Sequence, residues 1–278
     1  MPTLSGFLLD RAPVFDCGAA KTLFRRARQS HCAEHNIVVA NVVSSKSTAV
    51  SSHCEAASET DRARLTRRTM SVLLPHGFIE GFLPTDEHDE LLVYAVANEA
   101  RFKPAKVMRA SGRDEVDPLV RTALKLRDLG ALTCRLHDRF LAALPDVMKL
   151  AGASGKEPRT LELELTAYGE GAFYSRHFDI RIGAGQLQIG TEPGTDRVIS
   201  AVYYAHTWPK AFAGGVLRLY PFGAGDGTDG AVEIEATDNR LAVFPSWAPH
   251  EVLPVRCPSG EFRDYRFAIN CWYCRAPG

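Results

Sequence analysis

Leu241-Ala-Val-Phe244-Pro-Ser-Trp-Ala-Pro-His250-Glu-Val-Leu-Pro-Val255 contains two short apolar runs on either side of a proline-rich turn. The same texture continues through most of the chain after Pro158, where clusters of glycine and proline separate such runs. The runs cover residues 161–168, 198–205, 216–220, 231–234, 241–244, 251–255 and 265–272. Many short strands joined by turns are typical of an all-β sandwich or barrel.

Two helical patterns precede these strands. Acidic residues open the segment from Asp86 to Arg101, and its apolar residues then recur at helical spacing. A second amphipathic segment runs from about Asp128 to Leu150, and its apolar face consists of Leu129, Leu132, Leu136, Phe140, Leu141 and Leu144. Helices followed by many strands predict an α+β fold, namely a double-stranded β-helix (jelly roll) over residues 156–278, braced by helices within residues 71–155.

Residues 1–70 have a different composition. They are rich in Ala, Ser, Arg and Thr and show no strand alternation. Such a segment offers too little apolar periodicity to join a packed core. We therefore expect a poorly ordered N-terminal extension over residues 1–70 and one catalytic domain over residues 71–278. A new pattern begins after Met70, so the preceding segment is also compatible with an upstream extension of the reading frame.

The composition limits the classes of partner. The 278 residues include 33 Lys+Arg and 33 Asp+Glu, so no global field attracts nucleic acid or an anionic membrane. The longest apolar runs are shorter than the roughly 20 residues of a membrane-spanning helix. The N-terminus meets Asp10 too early for a secretory signal. Seven cysteines, an odd number, suit a reducing compartment, so we expect a cytoplasmic protein with free thiols.

A candidate metal site lies in the strand-rich half. In His177-Phe-Asp179 an imidazole and a carboxylate stand two residues apart, which places them on the same face of an extended strand. A third ligand from a later strand would complete a facial triad of two histidines and one carboxylate, which leaves positions open on non-heme Fe(II). His250 is the obvious candidate, although the His-x-Asp triplet alone is weak evidence.

An arginine on a late strand could hold a cosubstrate. Arg266 begins the stretch Arg-Phe-Ala-Ile-Asn-Cys-Trp-Tyr, and a buried guanidinium there would offer a fixed fork for a dicarboxylate. Arg256, Arg263 and Arg275 compete for the same role. Only the placement of the side chains separates these four.

Three other motifs favour a structural interpretation. Cys271 and Cys274 have redox spacing, but no helix follows them to lower a thiol pKa. The loop 223–230 lacks the pattern of a phosphate or calcium loop and suggests a turn. The N-terminal extension holds potential zinc ligands without a recognised finger spacing, namely His31, Cys32, His35, His53 and Cys54.

From about Thr160 to Tyr273 the chain resembles the 2-oxoglutarate oxygenases of the prolyl 4-hydroxylase class, which include the oxygen-sensing prolyl hydroxylases and their bacterial relatives. Five stretches match in the order of the family. They are Tyr168-Gly-Glu-Gly-Ala-Phe-Tyr-Ser-Arg-His-Phe-Asp179, Arg197-Val-Ile-Ser-Ala-Val-Tyr-Tyr204, Gly214-Gly-Val-Leu-Arg-Leu-Tyr-Pro221, His250-Glu-Val-Leu-Pro-Val255 and Arg266-Phe-Ala-Ile-Asn-Cys-Trp-Tyr273.

The resemblance implies the metal ligands and the cofactors. It implies that His177, Asp179 and His250 bind Fe(II), and that Arg266 pairs with the distal carboxylate of 2-oxoglutarate. The cofactors would then be Fe(II), 2-oxoglutarate and O2, with ascorbate as a further candidate. Halogenating relatives carry a small residue in place of Asp179, so hydroxylation is the expected reaction.

The resemblance also points to four pocket residues. Tyr168 and Tyr204 occupy positions where family members place tyrosines that hydrogen-bond the distal carboxylate of the cosubstrate. Leu217 and Trp272 occupy positions that line the cosubstrate and substrate cavity. For all four residues, ordinary packing in the core is an equally open interpretation.

The expected substrate is a prolyl residue of a protein or peptide, again by resemblance. A free amino acid or small metabolite is the enzymatic alternative. A jelly-roll binding module without catalysis is the alternative from another class, and the intact triad and Arg266 argue against it. The oligomeric state is not indicated by the sequence.

Two departures from the family leave the substrate open. The stretch 180–196 holds four glycines and alternates apolar with polar residues, which favours a mobile hairpin or lid beside the metal strand. Arg176 and Arg181 would favour an acidic peptide if they face the cleft, and solvated strand-edge charges are an equally open interpretation. A longer turn over residues 256–264 also places Arg266 farther from the preceding histidine than in close relatives.

Overall fold

The computed structural model describes residues 37–38, 74–108, 114–155, 157–183, 186–188, 196–222 and 227–275, and gives the backbone alone for 37–38, 108, 181–183 and 186–188. Its helices are α1 (Thr85–Ala97), α2 (Leu132–Ala142) and α3 (Leu144–Leu150), with short 3-10 turns at Glu99–Arg101 and Phe262–Asp264.

Strands make up most of the remaining described chain. They are β1 (Ile37–Val38), β2 (Gly77–Glu80), β3 (Lys103–Pro104), β4 (Val107–Met108), β5 (Asp114–Glu115), β6 (Leu124–Leu126), β7 (Thr160–Tyr168), β8 (Tyr174–His177), β9 (Arg181–Gly183), β10 (Gln186–Gln188), β11 (Asp196–Ala205), β12 (Ala213–Gly214), β13 (Leu217–Leu219), β14 (Val232–Ile234), β15 (Arg240–Pro245), β16 (His250–Val252), β17 (Val255–Arg256) and β18 (Arg266–Arg275).

The strands form two principal sheets. The larger has eight strands in the order β1-β2-β15-β11-β18-β7-β6-β3, and the smaller has four in the order β14-β13-β16-β8. Every pairing within both sheets is antiparallel. Three two-stranded pairs, β4 with β5, β9 with β10 and β12 with β17, complete the described topology.

One face of the larger sheet packs against the helices. In β11, the side chains of Ile199, Ala201 and Tyr203 belong to a core that also contains Leu136 of α2 and Val147 of α3. Alternate residues of a strand face opposite sides of a sheet, so these residues define the helix side. Each fully buried Leu, Ile or Phe contributes about 1.5–3 kcal/mol through the hydrophobic effect.

The other face packs against the smaller sheet. Val202 and Tyr204 of β11 lie in a second core together with Leu217 and Leu219 of β13 and Val252 of β16. The two sheets therefore sandwich an apolar layer, and the helices cover only the far side of the larger sheet. The prediction of helices followed by a strand-rich domain is confirmed.

The second predicted helix is in fact two helices. One helix was predicted from about Asp128 to Leu150, but α2 ends at Ala142 and α3 begins at Leu144. Pro145 lacks an amide N–H, and its ring would clash with the carbonyl of Leu141 in a continuous helix. The predicted apolar face is largely retained, because the buried residues include Leu129, Leu132, Leu136 and Phe140.

Residues 71–155 are also less helical than predicted. The larger sheet gains β2 at one end and β6 and β3 at the other from this segment. Edge strands expose backbone N–H and C=O groups that a further strand can satisfy. Ile79 of β2 is only 1% exposed, so this strand belongs to the core of the domain.

Four of the cysteines lie in the described part of the chain. In the described part of the chain, Cys134, Cys257, Cys271 and Cys274 are free. Burial raises the pKa of the Cys271 thiol well above its usual value and that of Cys274 to about 12. High thiol pKa values disfavour a redox role for this pair. None of the described helices is long and apolar enough to cross a bilayer.

The boundary of the N-terminal extension stays a prediction. The pair Ile37–Val38 forms β1 and adds to the edge of the larger sheet beside β2. The other residues of the 1–70 segment, including the histidines and cysteines considered for zinc, lie outside the described residues.

We expect a chain that begins at Met70 to keep its fold, because β1 contributes only two residues to a sheet edge. Circular dichroism and thermal melting should show a cooperative transition within a few degrees of that of the full chain. A Phe140→Ala variant is the matched control, since loss of this buried ring should cost about 3–5 kcal/mol. Non-cooperative melting of the shortened chain would contradict the boundary.

Candidate metal centre

Two paired strands bring the three predicted ligands together. In the smaller sheet, β8 and β16 are antiparallel neighbours, and His250 stands opposite His177. Asp179 lies just beyond the end of β8, where its backbone N–H donates to the carbonyl of Ser246 at 3.1 Å. The chain therefore fixes Asp179 against the turn that leads into β16.

The ligand atoms converge. Nε2 of His177 lies 3.8 Å from Oδ1 of Asp179, and Nε2 of His250 lies 3.5 Å from Oδ2. One ligand atom from each of the three residues lies within 4.8 Å of the other two. Two ligands at right angles, each with a bond of about 2.1 Å, stand roughly 3 Å apart, so a small adjustment would close them around an ion. The predicted convergence is confirmed.

Backbone carbonyls set the orientation of both imidazoles. Nδ1 of His177 lies 2.9 Å from the carbonyl oxygen of Ser175, and Nδ1 of His250 lies 2.9 Å from that of Ala248. Only a protonated Nδ1 can donate to a carbonyl, so Nε2 of each ring keeps its lone pair for a metal. Two such imidazoles and one carboxylate suit non-heme Fe(II) and leave positions open for other ligands.

Neighbouring charges keep Asp179 ionised. Burial raises its pKa, but His250, His177, Arg197 and a hydrogen bond from Ser200 outweigh burial and lower the pKa to about 2. Burial, reinforced by His250, lowers the pKa of His177 well below its usual value. A carboxylate and a neutral imidazole are the protonation states that bind a cation.

A serine pair orients the carboxylate. Oγ of Ser200 on β11 donates to Oδ2 of Asp179 at 2.6 Å, and Oγ of Ser246 lies 2.9 Å from that of Ser200. The other carboxylate oxygen of Asp179, Oδ1, is the one that faces Nε2 of His177. These two serines carry no signal in the amino-acid sequence alone, because a serine becomes informative only once its neighbour in space is known.

Arg266 occupies the place predicted for a cosubstrate anchor. It is 1% exposed, and its Cζ lies 4.9 Å from the ring centres of both Tyr168 and Tyr204. Nε of Arg266 and the hydroxyl of Tyr204 have no hydrogen-bond partner, although both are buried. Buried polar groups without partners are costly, so this pair fits an anionic ligand such as the carboxylate of a 2-oxoacid.

The competing arginines lie elsewhere. Arg256 and Arg263 are exposed, and the guanidinium of Arg275 donates to the carbonyl of Ser154. The placement of the side chains therefore favours Arg266 for the role predicted from the sequence.

A glycine makes room for this arginine. Gly215 has a φ of 65°, and a Cβ at that position would lie 2.6 Å from Cδ of Arg266 and 2.7 Å from Cγ2 of Val255. A side chain would both strain the backbone and displace the guanidinium. The close approach of the backbone at Gly215 therefore helps to position Arg266.

The remaining predicted pocket residues have different surroundings. Leu217 is 2% exposed and lies in the core between the sheets. Trp272 is half-buried, and Cζ of Arg197 lies 3.6 Å from its ring centre. Arg197 also pairs with Glu162. Leu217 thus shares its apolar core with Tyr168 and Tyr204, whereas Trp272 lies beside Arg197 on the interior face of the larger sheet, and a role in lining the cavity stays a prediction for both residues.

The segment after Asp179 forms a hairpin. Strands β9 and β10 pair with Gln186 opposite Gly183, as the alternation predicted. The side chain of Arg181 lies outside the described residues. Arg176 stacks on the ring of Tyr220 at 3.3 Å and donates to the carbonyl of Gly227.

Comparisons with known proteins bear on the same region. Residues 163–274 match the family model of the 2OG-Fe(II) oxygenase superfamily. A PKHD-type hydroxylase of Synechocystis is 29% identical over 214 residues, which cover 75% of this chain and 66% of that protein. Egl nine homolog 1 of Homo sapiens is 32% identical over 110 residues, which cover 38% of this chain and 20% of that protein.

A solved structure shows the same fold. The crystal structure of a Pseudomonas putida prolyl-4-hydroxylase has a TM-score of 0.51 at 22% identity, covering 73% of this chain and 94% of that chain. By contrast, this chain spans about two thirds of the length of the Synechocystis relative and a fifth of the human one.

Ser200→Ala should weaken metal binding about tenfold, because Asp179 loses the hydrogen bond that fixes its orientation. Anaerobic titration of the apoprotein with Fe(II) or Mn(II) would measure the affinity, and the melting temperature would report the fold. Ser259→Ala, at an exposed position, is the matched control and should leave the affinity unchanged. An unaltered affinity in Ser200→Ala would remove the serine from this role.

Gly215→Ala should raise the KM for 2-oxoglutarate about tenfold with little change in the apparent affinity for iron, because the added methyl displaces Arg266. Arg266→Ala should raise that KM further, since a charge-assisted pair is lost. Gly260→Ala is the matched control, because Gly260 has a φ of 66° but an added methyl there would meet nothing within 4 Å. Equal effects in the two glycine variants would indicate backbone strain rather than displacement of Arg266.

Proposed function

We propose that the chain is a prolyl hydroxylase-like member of the 2OG-Fe(II) oxygenase superfamily and that it hydroxylates a prolyl residue within a protein or peptide; the matches described above support this proposal. Two observations in one domain carry the proposal: the side chains of His177, Asp179 and His250 converge, and the buried Arg266 has no hydrogen-bond partner for its Nε. These two features together match the needs of a metal and a 2-oxoacid.

The triad would hold the metal through Nε2 of each histidine and a carboxylate oxygen of Asp179. When bound, Fe(II) supplies with 2-oxoglutarate and O2 the oxidising power to hydroxylate a C–H bond, releasing succinate and CO2. Ser200 keeps the carboxylate oriented, and the carbonyls of Ser175 and Ala248 keep both imidazoles in the metal-binding tautomer.

Arg266 would hold the distal carboxylate of 2-oxoglutarate. Its guanidinium is buried beside Tyr168 and Tyr204, so the ion pair would form away from water, where it is stronger. The unpartnered hydroxyl of Tyr204 would donate to the same carboxylate. In this proposal Trp272 borders the acceptor. Ascorbate remains a candidate reductant, as the resemblance implies.

Apolar side chains exposed beside the metal strands support a polypeptide acceptor. Leu119 is 85% exposed in the loop whose Val120 carbonyl accepts from the N–H of Ser175 in β8. Phe222 is 71% exposed and packs edge-on against Trp247, just before β16. Exposed apolar groups next to both metal strands suit an extended peptide better than a closed pocket for a small metabolite.

We also propose that the two antiparallel sheets, with the site at the pairing of β8 and β16, form the jelly roll expected from the sequence, and their strand orders support this. The free thiols of the described cysteines support the cytoplasmic location, and the balanced charge supports a partner that is not nucleic acid or membrane.

The acceptor can be tested by comparing proline-containing peptides with free L-proline as stimulators of succinate formation. We expect peptides, but not free proline, to raise succinate formation above the uncoupled rate and to gain one oxygen atom on proline, which fragmentation mass spectrometry would locate. Asp179→Ala is the catalytically inactive control. Hydroxylation of free proline alone would assign the enzyme to small molecules, and oxygen on another residue would exclude the prolyl acceptor.

A further inference from the structure

A buried cluster of charges lies beside the metal centre. Glu164 of β7 is 3% exposed and contacts three cations. Its Oε1 lies 3.3 Å from a terminal nitrogen of Arg121, and its Oε2 lies 3.3 Å from Nζ of Lys125 and 3.2 Å from Nε of Arg127. We refer to these four residues as the Glu164 cluster.

The cations of this cluster outnumber its carboxylate. Three cations face one carboxylate, but only the side chains of Arg121 and Lys125 lie largely out of water, so the buried part of the cluster carries a formal excess of one positive charge. Burial raises the pKa of Glu164, but the three cations outweigh it and lower the pKa below its usual value, so the carboxylate stays ionised. Burial lowers the pKa of Lys125. A buried excess of positive charge is costly without an anion.

Arg121 is the member of the cluster with an unmet hydrogen bond. It is 7% exposed, and its Nε has no partner. In the described part of the chain, two other buried side-chain atoms share this property, Nε of Arg266 and the hydroxyl of Tyr204. The proposed cosubstrate would supply the missing hydrogen-bond partners of those two atoms. It would not supply one for Nε of Arg121.

Tyr174 connects Arg121 to the metal ligands. Cζ of Arg121 lies 4.6 Å from the ring centre of Tyr174, and this ring stacks on that of His177 with 3.5 Å between centres. The backbone of Arg121 also bridges to Tyr174. The guanidinium is therefore separated from a metal ligand by a single aromatic ring.

The cluster shares the interior face of the larger sheet with the proposed cosubstrate anchor. Glu164 and Tyr168 point to the same side of β7, and they pair with Asn270 and Arg266 of β18. Tyr168 lies in the apolar core between the sheets, whereas Glu164 and Asn270 on the same face are polar. The face thus becomes polar beyond the cosubstrate anchor.

The cosubstrate itself leaves no group for this cluster. 2-Oxoglutarate has two carboxylates; in the proposed function one would pair with Arg266 and the other would bind the metal. Neither would be left for Arg121, and the acceptor is then the remaining source of an anion in the proposed function. The side chain of Arg127 is 62% exposed, so water screens its charge. Arg127 would therefore contribute little to the binding of an anion.

We propose that Arg121, assisted by Lys125, binds a carboxylate carried by the acceptor and so positions the acceptor beside the metal. This subsite rests on the proposed function, since it presupposes an acceptor at the metal centre. A prolyl acceptor can present a carboxylate from an acidic side chain next to the proline, or from its own C-terminus when proline is the last residue. The shared chemistry is the carboxylate.

The test measures binding without turnover. The full chain, loaded with Fe(II) and 2-oxoglutarate under anaerobic conditions, is titrated calorimetrically with matched peptides. One set carries Asp or Asn before or after a central proline, and the other ends in proline as the free acid or as the amide. The set in which the acid binds more tightly identifies the source of the carboxylate.

We expect an acid peptide to bind at least about tenfold more tightly than its neutral partner, because a charge-assisted hydrogen bond is gained. The ratio of the affinity for the acid peptide to that for the neutral peptide, which we call the preference, should fall close to one in Arg121→Gln. It should increase in Glu164→Gln, because this variant lacks the competing carboxylate. Arg256→Gln, at an exposed arginine outside the site, is the matched control and should keep the preference.

If Arg121→Gln fails to fold, Lys125→Met serves as the second variant and should reduce the same preference. Equal affinities for acid and neutral peptides, or a preference that persists in both variants, would overturn the subsite while 2-oxoglutarate binding still supports the proposed function. Loss of 2-oxoglutarate binding by the iron-loaded native chain would overturn the proposed function and the subsite together.

Discussion

The pairing of β8 with β16 is the constraint on which the site depends. His177 and His250 stand opposite each other, and β16 is held in turn by β13, with His250 opposite Leu219. A shift of one residue in either pairing would move an imidazole to the opposite face of the sheet. Since the register determines which side chains meet, the apolar packing that fixes the register also fixes the metal centre. The two Nδ1 hydrogen bonds and Ser200 only refine what the strands have brought together.

The interior face of the larger sheet divides into an apolar and a polar part. Val202, Ala242 and Phe244 pack against the smaller sheet, which anchors the sandwich. Arg266 lies at the border, and beyond it Glu164 and Arg121 are buried although charged. Buried polar groups require partners, and Nε of Arg121 and Nε of Arg266 have none, which costs stability unless a ligand supplies the partner. The polar part of this face therefore links the fold to the proposed chemistry.

Much of the architecture was predictable from local patterns. The apolar runs corresponded to β7, β11, β13, β14, β15, β16 and β18, because alternation and turn residues are local signals. The break between α2 and α3 was missed, since the apolar periodicity continues through Pro145 and outweighed it in the prediction. The strands within residues 71–155 were missed because they have two to four residues, too few to show a period.

His177, Asp179, His250 and Arg266 were recognisable as candidates from the amino-acid sequence, because the spacing of residues along a strand and the order of the family's motifs can be read from the chain alone. The preference for Arg266 over the competing arginines required the fold, since burial depends on which face of β18 packs inward. It also introduced Ser200 and Arg121, which lie far along the chain from the groups they contact. Residues distant in sequence become neighbours through sheet register and packing, and these are properties of the whole fold rather than of any local segment.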